Sequence, residues 1–283
     1  MQKYALTPLN AFQLVGNCVT HYWSAFRETW SIGLLFGLVL QSIVIFFVLI
    51  LMLGFKFRIP VFALGFLIIT FLTGLGLIKA HQALLGEHIH LRKTIVKMKS
   101  HYFSYVTICL LYFLLLYLSA WLSVNIAASG LFEGSHPSKL NMIVGTGIFS
   151  LLILILIAMI TIYVFIFLIF ATPLILLDGN SMLVSFKKSW RLVFRHWWHV
   201  FIFLLLAVIV IGLWQSFLEA LSLIILEFLI YVHLPFAWGA IGHIVSRALV
   251  DTLLFPAWIT VILIIFNDLK LRLGQIQAPH LQI

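Results

Sequence analysis

The sequence predicts an all-α membrane protein, a polytopic bundle of six transmembrane helices with additional helices at the membrane interface. Three observations carry this expectation. Hydrophobic residues make up 64% of the 283-residue chain and charged residues 9%, with a mean hydropathy of +1.19. A soluble domain carries about 25% charged residues, so too little polar surface exists here to cover the apolar mass in water. The apolar residues also fall in long runs, and about 20 residues of helix cross a bilayer. The runs do not alternate polar with apolar as barrel strands do. Only a helix satisfies its own backbone hydrogen bonds over such a run in lipid. The whole chain reads as one integral membrane domain.

Six stretches qualify as spans. They run from Ser31 to Gly54, Val61 to Lys79, Tyr105 to Ala128, Ile143 to Leu177, Val200 to Leu226 and Leu249 to Phe266. The fourth is too long for one straight crossing, so it starts late, tilts, or runs into an interfacial turn near Pro173. Aromatic residues, 26 Phe, 9 Trp and 8 Tyr, suit the two interfaces of a membrane.

Charge orders the connections. The formal net charge is +9, with 17 Lys and Arg. Lys56, Arg58, Lys139 and Arg247 fall on one side of the six spans, and all the other cations fall on the opposite side. The positive-inside rule then places both termini in the cytoplasm. Cations set beside spans point to anionic headgroups as partner rather than to nucleic acid. Cys18 and Cys109 lack metal-type spacing and read as free thiols. The first 30 residues lack the short apolar core and cleavage site of a signal peptide.

A motif recurs. His21-Tyr22-Trp23, His101-Tyr102-Phe103 and His196-Trp197-Trp198 each place a histidine and two aromatics at or just before an odd-numbered span. The chain therefore reads as three helix-span-span units, by duplication or by convergence at the interface. The segment from Ser181 to His199 is the most informative. Lys187, Lys188, Arg191 and Arg195 recur at helical spacing, and Val184, Trp190, Val193, Phe194 and Trp197 form a mostly separate apolar stripe. Asp178-Gly179-Asn180 supplies a turn before it. This pattern suits a helix lying in the membrane plane. His81 to His101, with Arg92, Lys93, Lys97 and Lys99, and Leu9 to Trp30, with Trp23, are expected to add two more such helices. Together they would make a cytoplasmic collar. Trp23, Trp190, Trp197 and Trp198 are its expected anchors, and Lys187, Arg191 and their neighbours its phosphate contacts. Anchoring alone would explain the same pattern.

Little else carries chemistry. His81, Glu87, His88 and His90 are poorly spaced for a metal, and no HExxH pattern exists. No cofactor, nucleotide or nucleophile motif is found, so the expectation is a non-enzyme. Glu219, Glu227, Arg247 and Asp251 fall away from the basic side and suggest a polar cavity; Arg247 and Asp251, four apart, can pair on one helical face. A local ion pair is the plainer reading. Pro235, Gly239 and Gly242 suggest an interfacial or re-entrant stretch before the last span. Gly74-Leu75-Gly76 and Gly145-Thr146-Gly147 read as close helix-packing points.

The run from Pro173 through Asp178, Ser189 and Arg191 to Trp198 resembles the YciC-type bacterial inner-membrane family and the related membrane domain of glycerophosphodiester phosphodiesterases. In that pattern a span ends in Pro, an acidic turn follows, and a Ser-x-Arg-Leu helix leads to an aromatic-rich entry. Phe266-Asn267-Asp268-Leu269-Lys270-Leu271-Arg272 resembles the family's aromatic-x-Asp-Leu-Arg ending, with Lys270 in place of Arg. The resemblance covers the second half in its motifs and the first half by architecture. It implies a six-helix inner-membrane protein, and without an attached phosphodiesterase domain it implies no hydrolase activity. The leading functional expectation is a protein that binds, organises or moves lipid. A small-solute or ion transporter, and a membrane assembly or scaffold subunit, are the alternatives.

Overall fold

The computed structural model describes residues 10–53, 58–87, 90–132, 140–231 and 236–274. Lys56, His88, Lys139, His233 and Pro235 lie outside them, as do the side chains of Arg58 and His243 and the surroundings of Gly145, Gly147 and Gly239. Seven helices make up the described chain: α1 (Ala11–Leu53), α2 (Arg58–Leu85), α3 (Leu91–Phe132), α4 (Leu140–Leu176), α5 (Met182–Phe194), α6 (Trp197–Tyr231) and α7 (Phe236–Arg272). This is the all-α bundle that the sequence predicts. Six of the seven are long and apolar enough to cross a membrane, over Phe12–Ile45, Ala63–Leu85, Leu91–Ile126, Leu151–Leu176, Trp197–Ile224 and Ile244–Arg272. Only α5, with 13 residues, is too short.

Two of the three expected interfacial helices are not separate elements. Of the stretch expected from Leu9 to Trp30, Ala11 to Trp30 supply the opening turns of α1, which runs unbroken for 43 residues. The second connection divides at Gly86, whose φ of +72° ends α2. Its basic stretch then opens α3, 42 residues long. At about 1.5 Å per residue these helices reach roughly 60 Å, twice a hydrocarbon core, so they project beyond it. The start of α1 packs along the bundle: Leu14 is fully buried with Phe266 and Leu269 of α7. The buried face runs through Leu14, His21 and Ala25, and the expected apolar stripe with Trp23 is exposed on another side. The long fourth stretch is one helix that passes through Pro173 and ends at Leu176.

Sequential helices pack as three neighbours in pairs, α1 on α2, α3 on α4 and α6 on α7, and α7 also packs extensively on α1. Close backbone approach fixes α1 on α7. A Cβ on Gly37 would stand 2.5 Å from the Ala248 carbonyl oxygen. Gly76 meets Phe255 and Ile259 of α7, which fits the packing role expected of the Gly74–Gly76 stretch.

Among the residues whose burial is described, the core forms two clusters. One cluster joins Phe167 and Phe170 of α4, Leu192 and Val193 of α5, Phe203 of α6 and Phe266 of α7. A second joins Ile78 of α2, Met98 and Ile108 of α3, Ile175 of α4 and Phe255 and Ile259 of α7. Beyond them the apolar faces stand open, as at Leu114, Leu118 and Val124 of α3, Leu152 and Leu156 of α4, and Val208 and Leu213 of α6. Such contiguous apolar exposure is far beyond what a water-soluble monomer tolerates, and it is the ordinary outer surface of a bundle whose solvent is lipid.

Candidate functional site

Two polar layers interrupt the apolar bundle, and α7 carries part of each. The first lies where α4 and α7 end. After Leu176 the chain turns through Gly179, whose φ is +67°. The turn presents the Asp178 carboxylate to Lys270 at 2.7 Å. Lys270 also sits 4.6 Å above the Phe266 ring. Lys97 of α3 donates to the Leu177 carbonyl at 3.3 Å. Asn180 donates its side-chain amide to the Leu174 carbonyl at 3.1 Å and accepts from Lys188 at 2.7 Å. Two residues before Lys270, on the other flank of Leu269, Asp268 is 3% exposed and holds Arg272 at 2.7 Å and His199 at 3.2 Å. The two segments that carry the sequence resemblance, around Asp178 and around Asp268, therefore meet in space.

The short helix α5 is docked on this end and folds back along α4. Ser189, about two turns into α5, donates to the carbonyl of Phe167, which lies about two and a half turns before the end of α4. Trp190 stacks on the Phe167 ring at 4.3 Å. The helix has three faces. Ser185, Ser189, Leu192 and Val193 are buried against the bundle. Leu183, Phe186, Trp190 and Phe194, spaced three, four and four, are exposed apolar residues. Lys187, Arg191 and Arg195, spaced by four, are exposed with Lys188 on the remaining side. Among the described residues none pairs with Lys187, Arg191 or Arg195. At the corner into α6, burial together with the charges of Arg272 and Arg195 lowers the pKa of His196.

The other expected residues are distributed more widely. Arg92 and Lys93 are exposed in the first turn of α3. Trp23 and Trp198 are well exposed, at 68% and 71%. Trp197 is only half-buried at the surface and packs on Tyr163 of α4 at 4.6 Å, so it joins α6 to α4 and is not the free wedge expected beside acyl chains.

The second layer lies near the other end of the apolar spans. Arg247 of α7 bonds Glu219 of α6, and Gln215 donates to the same Glu219 oxygen at 2.9 Å. Asp251 accepts from Gln41 of α1 at 2.9 Å. The i, i+4 pair expected within α7 is thus replaced by two contacts across helices, because α6 and α1 bring polar partners to the same depth. Glu227 is exposed and does not join the cluster. Gln41, His199 and Asp268 were not singled out as site residues by sequence reasoning. An uncharged amide in an apolar run, and one acid near a chain end, are signals that only a partner makes specific.

Six apolar spans, one docked basic helix and two polar layers define a multi-pass α-helical membrane protein. The chain belongs to the family of DUF7847, a domain of unknown function, whose model matches residues 31–267. No curated protein and no solved structure gives a match.

Proposed function

We propose that this protein is a non-enzymatic multi-pass protein of the bacterial inner membrane that binds and organises anionic phospholipid through α5. The observation that carries the reading is the three-faced helix: one side buried on α4, one lined by Leu183, Phe186, Trp190 and Phe194, one lined by Lys187, Lys188, Arg191 and Arg195. An amphipathic helix held at headgroup depth beside a bundle needs those three surfaces, one for protein, one for acyl chains and one for phosphates. Arg191 and Lys187 take the role of principal phosphate contacts, Arg191 with a planar fork suited to phosphate oxygens. Arg92 and Lys93 take the role of further headgroup contacts and Trp23 that of a further anchor, all three being exposed. The distribution of cations supports placing this end, and both termini, in the cytoplasm. Kinship with YciC-type proteins remains part of the proposal and rests on the paired segments around Asp178 and Asp268.

The test is native mass spectrometry of protein purified in mild detergent. Each cation near an anionic surface is worth about 1 kcal/mol. Lys188 is partly engaged by Asn180, so the other three contribute about 3 kcal/mol, roughly a hundredfold in affinity. Wild type should retain anionic phospholipid, and the Lys187→Glu, Lys188→Glu, Arg191→Glu, Arg195→Glu variant should release it while staying folded. Equal retention by both proteins refutes the reading.

A further inference from the structure

The two polar layers differ in a way that separates scaffold from site. In the layer near the end of α7, the Asp268 carboxylate is 3% exposed and takes Arg272 and His199, so its charge is buried and satisfied. The other layer is open. The Arg247 and Glu219 side chains are 40% and 32% exposed. Glu219 spends one carboxylate oxygen, Oε1, on both Arg247 and Gln215. Asp251 spends Oδ2 on Gln41, and Arg247 spends Nη1. Among the described residues, Glu219 Oε2, Asp251 Oδ1 and the remaining guanidinium N–H groups have no partner.

Position makes this openness costly. Arg247 lies about 35 Å along α7 from Lys270, and Asp251 about 28 Å, which is close to one hydrocarbon thickness. Beyond Gln41, α1 continues from Ser42 to Leu53 without a charged residue. Nearby on α6, Trp214 and Phe217 are exposed and stacked at 5.7 Å. The free valences therefore face a region bordered by apolar side chains, where an unmet charge is expensive.

We propose that Gln41, Gln215, Glu219, Arg247 and Asp251 form a binding site for a headgroup that carries both a phosphodiester and a primary ammonium, presented by a phospholipid of the leaflet opposite α5. The guanidinium supplies donors to phosphate oxygens, and the free carboxylate oxygens accept from the ammonium. Two carboxylates and one guanidinium leave the cluster with one excess negative charge. It therefore selects against a purely anionic headgroup, the reverse of the selectivity proposed for α5. The site shares no residue with α5 and stands if that reading falls.

The experiment uses the delipidated full chain in mild detergent, in the background carrying the four α5 reversals, so that headgroups bound at α5 do not contribute. Phosphatidylethanolamine and phosphatidylglycerol of equal chain length are titrated and read by native mass spectrometry. Phosphatidylethanolamine should bind more tightly, and Glu219→Gln with Arg247→Gln should weaken it at least about tenfold. That double change removes both members of the ion pair together and leaves Asp251 its bond from Gln41, so the fold should persist; Asp251→Asn, which retains a side chain able to bond Gln41, is the second variant and should also weaken binding. Displacement of bound lipid by soluble glycerophosphoethanolamine identifies the headgroup chemistry alone as sufficient, which admits a free amino-phosphate solute as ligand. Lack of displacement assigns the ligand as lipid. Equal affinity for the two lipids, or unchanged phosphatidylethanolamine binding in both variants, overturns the proposal.

Discussion

Replacing Asp268 by alanine should destabilise the bundle far more than replacing Asp178. The two acids sit in the same layer, and each faces α7 cations or is part of α7, yet their surroundings differ. Asp268 is 3% exposed and accepts from Arg272 at 2.7 Å and His199 at 3.2 Å. Arg272 and His199 are themselves only about a fifth exposed, at 21% and 20%. Removing the shared acceptor takes the carboxylate away from a guanidinium and an imidazole that are themselves mostly buried. Breaking a buried pair in this way costs about 3–5 kcal/mol. Asp178 is 30% exposed, and its partner Lys270 keeps the Phe266 ring beneath its ammonium group. Solvent can replace part of what is lost, so about 1 kcal/mol is expected there, at the upper end for an exposed pair. The assay is reversible unfolding in mixed micelles, followed by far-UV circular dichroism as the denaturing detergent fraction rises. The Asp268→Ala curve should shift by at least about 2 kcal/mol more than the Asp178→Ala curve. A double-mutant cycle of Asp268→Ala with Arg272→Ala should show a coupling of more than about 1 kcal/mol. Equal shifts for the two single variants, or additivity in the cycle, would refute the assignment of Asp268 as the buried hub.

Other consequences are equally direct. Gly37→Ala should force α1 away from α7, because the new methyl would stand 2.5 Å from a backbone carbonyl that cannot rotate aside; a loss of about 2 kcal/mol is expected in the same unfolding assay. Gly74→Ala should cost less than half of that, since the atoms in its path are the flexible end of Met98 and a Tyr105 ring edge. Ser189→Ala should cost about 0.6 kcal/mol, the usual value of a hydrogen bond within a membrane bundle, while Ser189→Leu should undock α5 and expose Trp190 and Phe194 to proteolysis at that helix. A cysteine at Lys187 and one added at the C-terminus should be labelled by a membrane-impermeant maleimide from the same side of sealed vesicles, and from the cytoplasmic side if the cation distribution sets topology; labelling from opposite sides would contradict an even number of spans.

The parts of this fold that were legible in the sequence are those set by local chemistry. Span count follows from apolar run length, because hydrocarbon demands about 20 residues of self-satisfied backbone. The start of α5 was legible, expected from Ser181 and found from Met182, because Asp178-Gly179-Asn180 encodes a turn and Gly179 adopts the positive φ that favours glycine; its end was not, expected at His199 and found at Phe194. What depended on tertiary contact was not legible. No proline or glycine marks the break between α5 and α6 at Arg195 and His196, and none marks where α1 or α3 meets the membrane boundary. The aromatic stripe through Phe12, Val19 and Trp23 that suggests a lying helix is exposed, and α1 packs on the bundle through another face, Leu14, His21 and Ala25, which no periodic apolar run announces. Arg247 illustrates the point most sharply. Spacing within α7 made Asp251 an available partner, yet the bond formed is to Glu219, 28 residues away, and Asp251 turns to Gln41, 210 residues away. An i, i+4 pair on an exposed helix is worth only about 0.3–0.5 kcal/mol, too little to hold two side chains that a neighbouring helix can engage at the same depth. The packing of α6 and α1 on α7 thus decides the chemistry of the open polar layer: it gives Arg247 and Asp251 hydrogen-bond partners from other helices and leaves Asp251 Oδ1 and the remaining donors of Arg247 for a ligand.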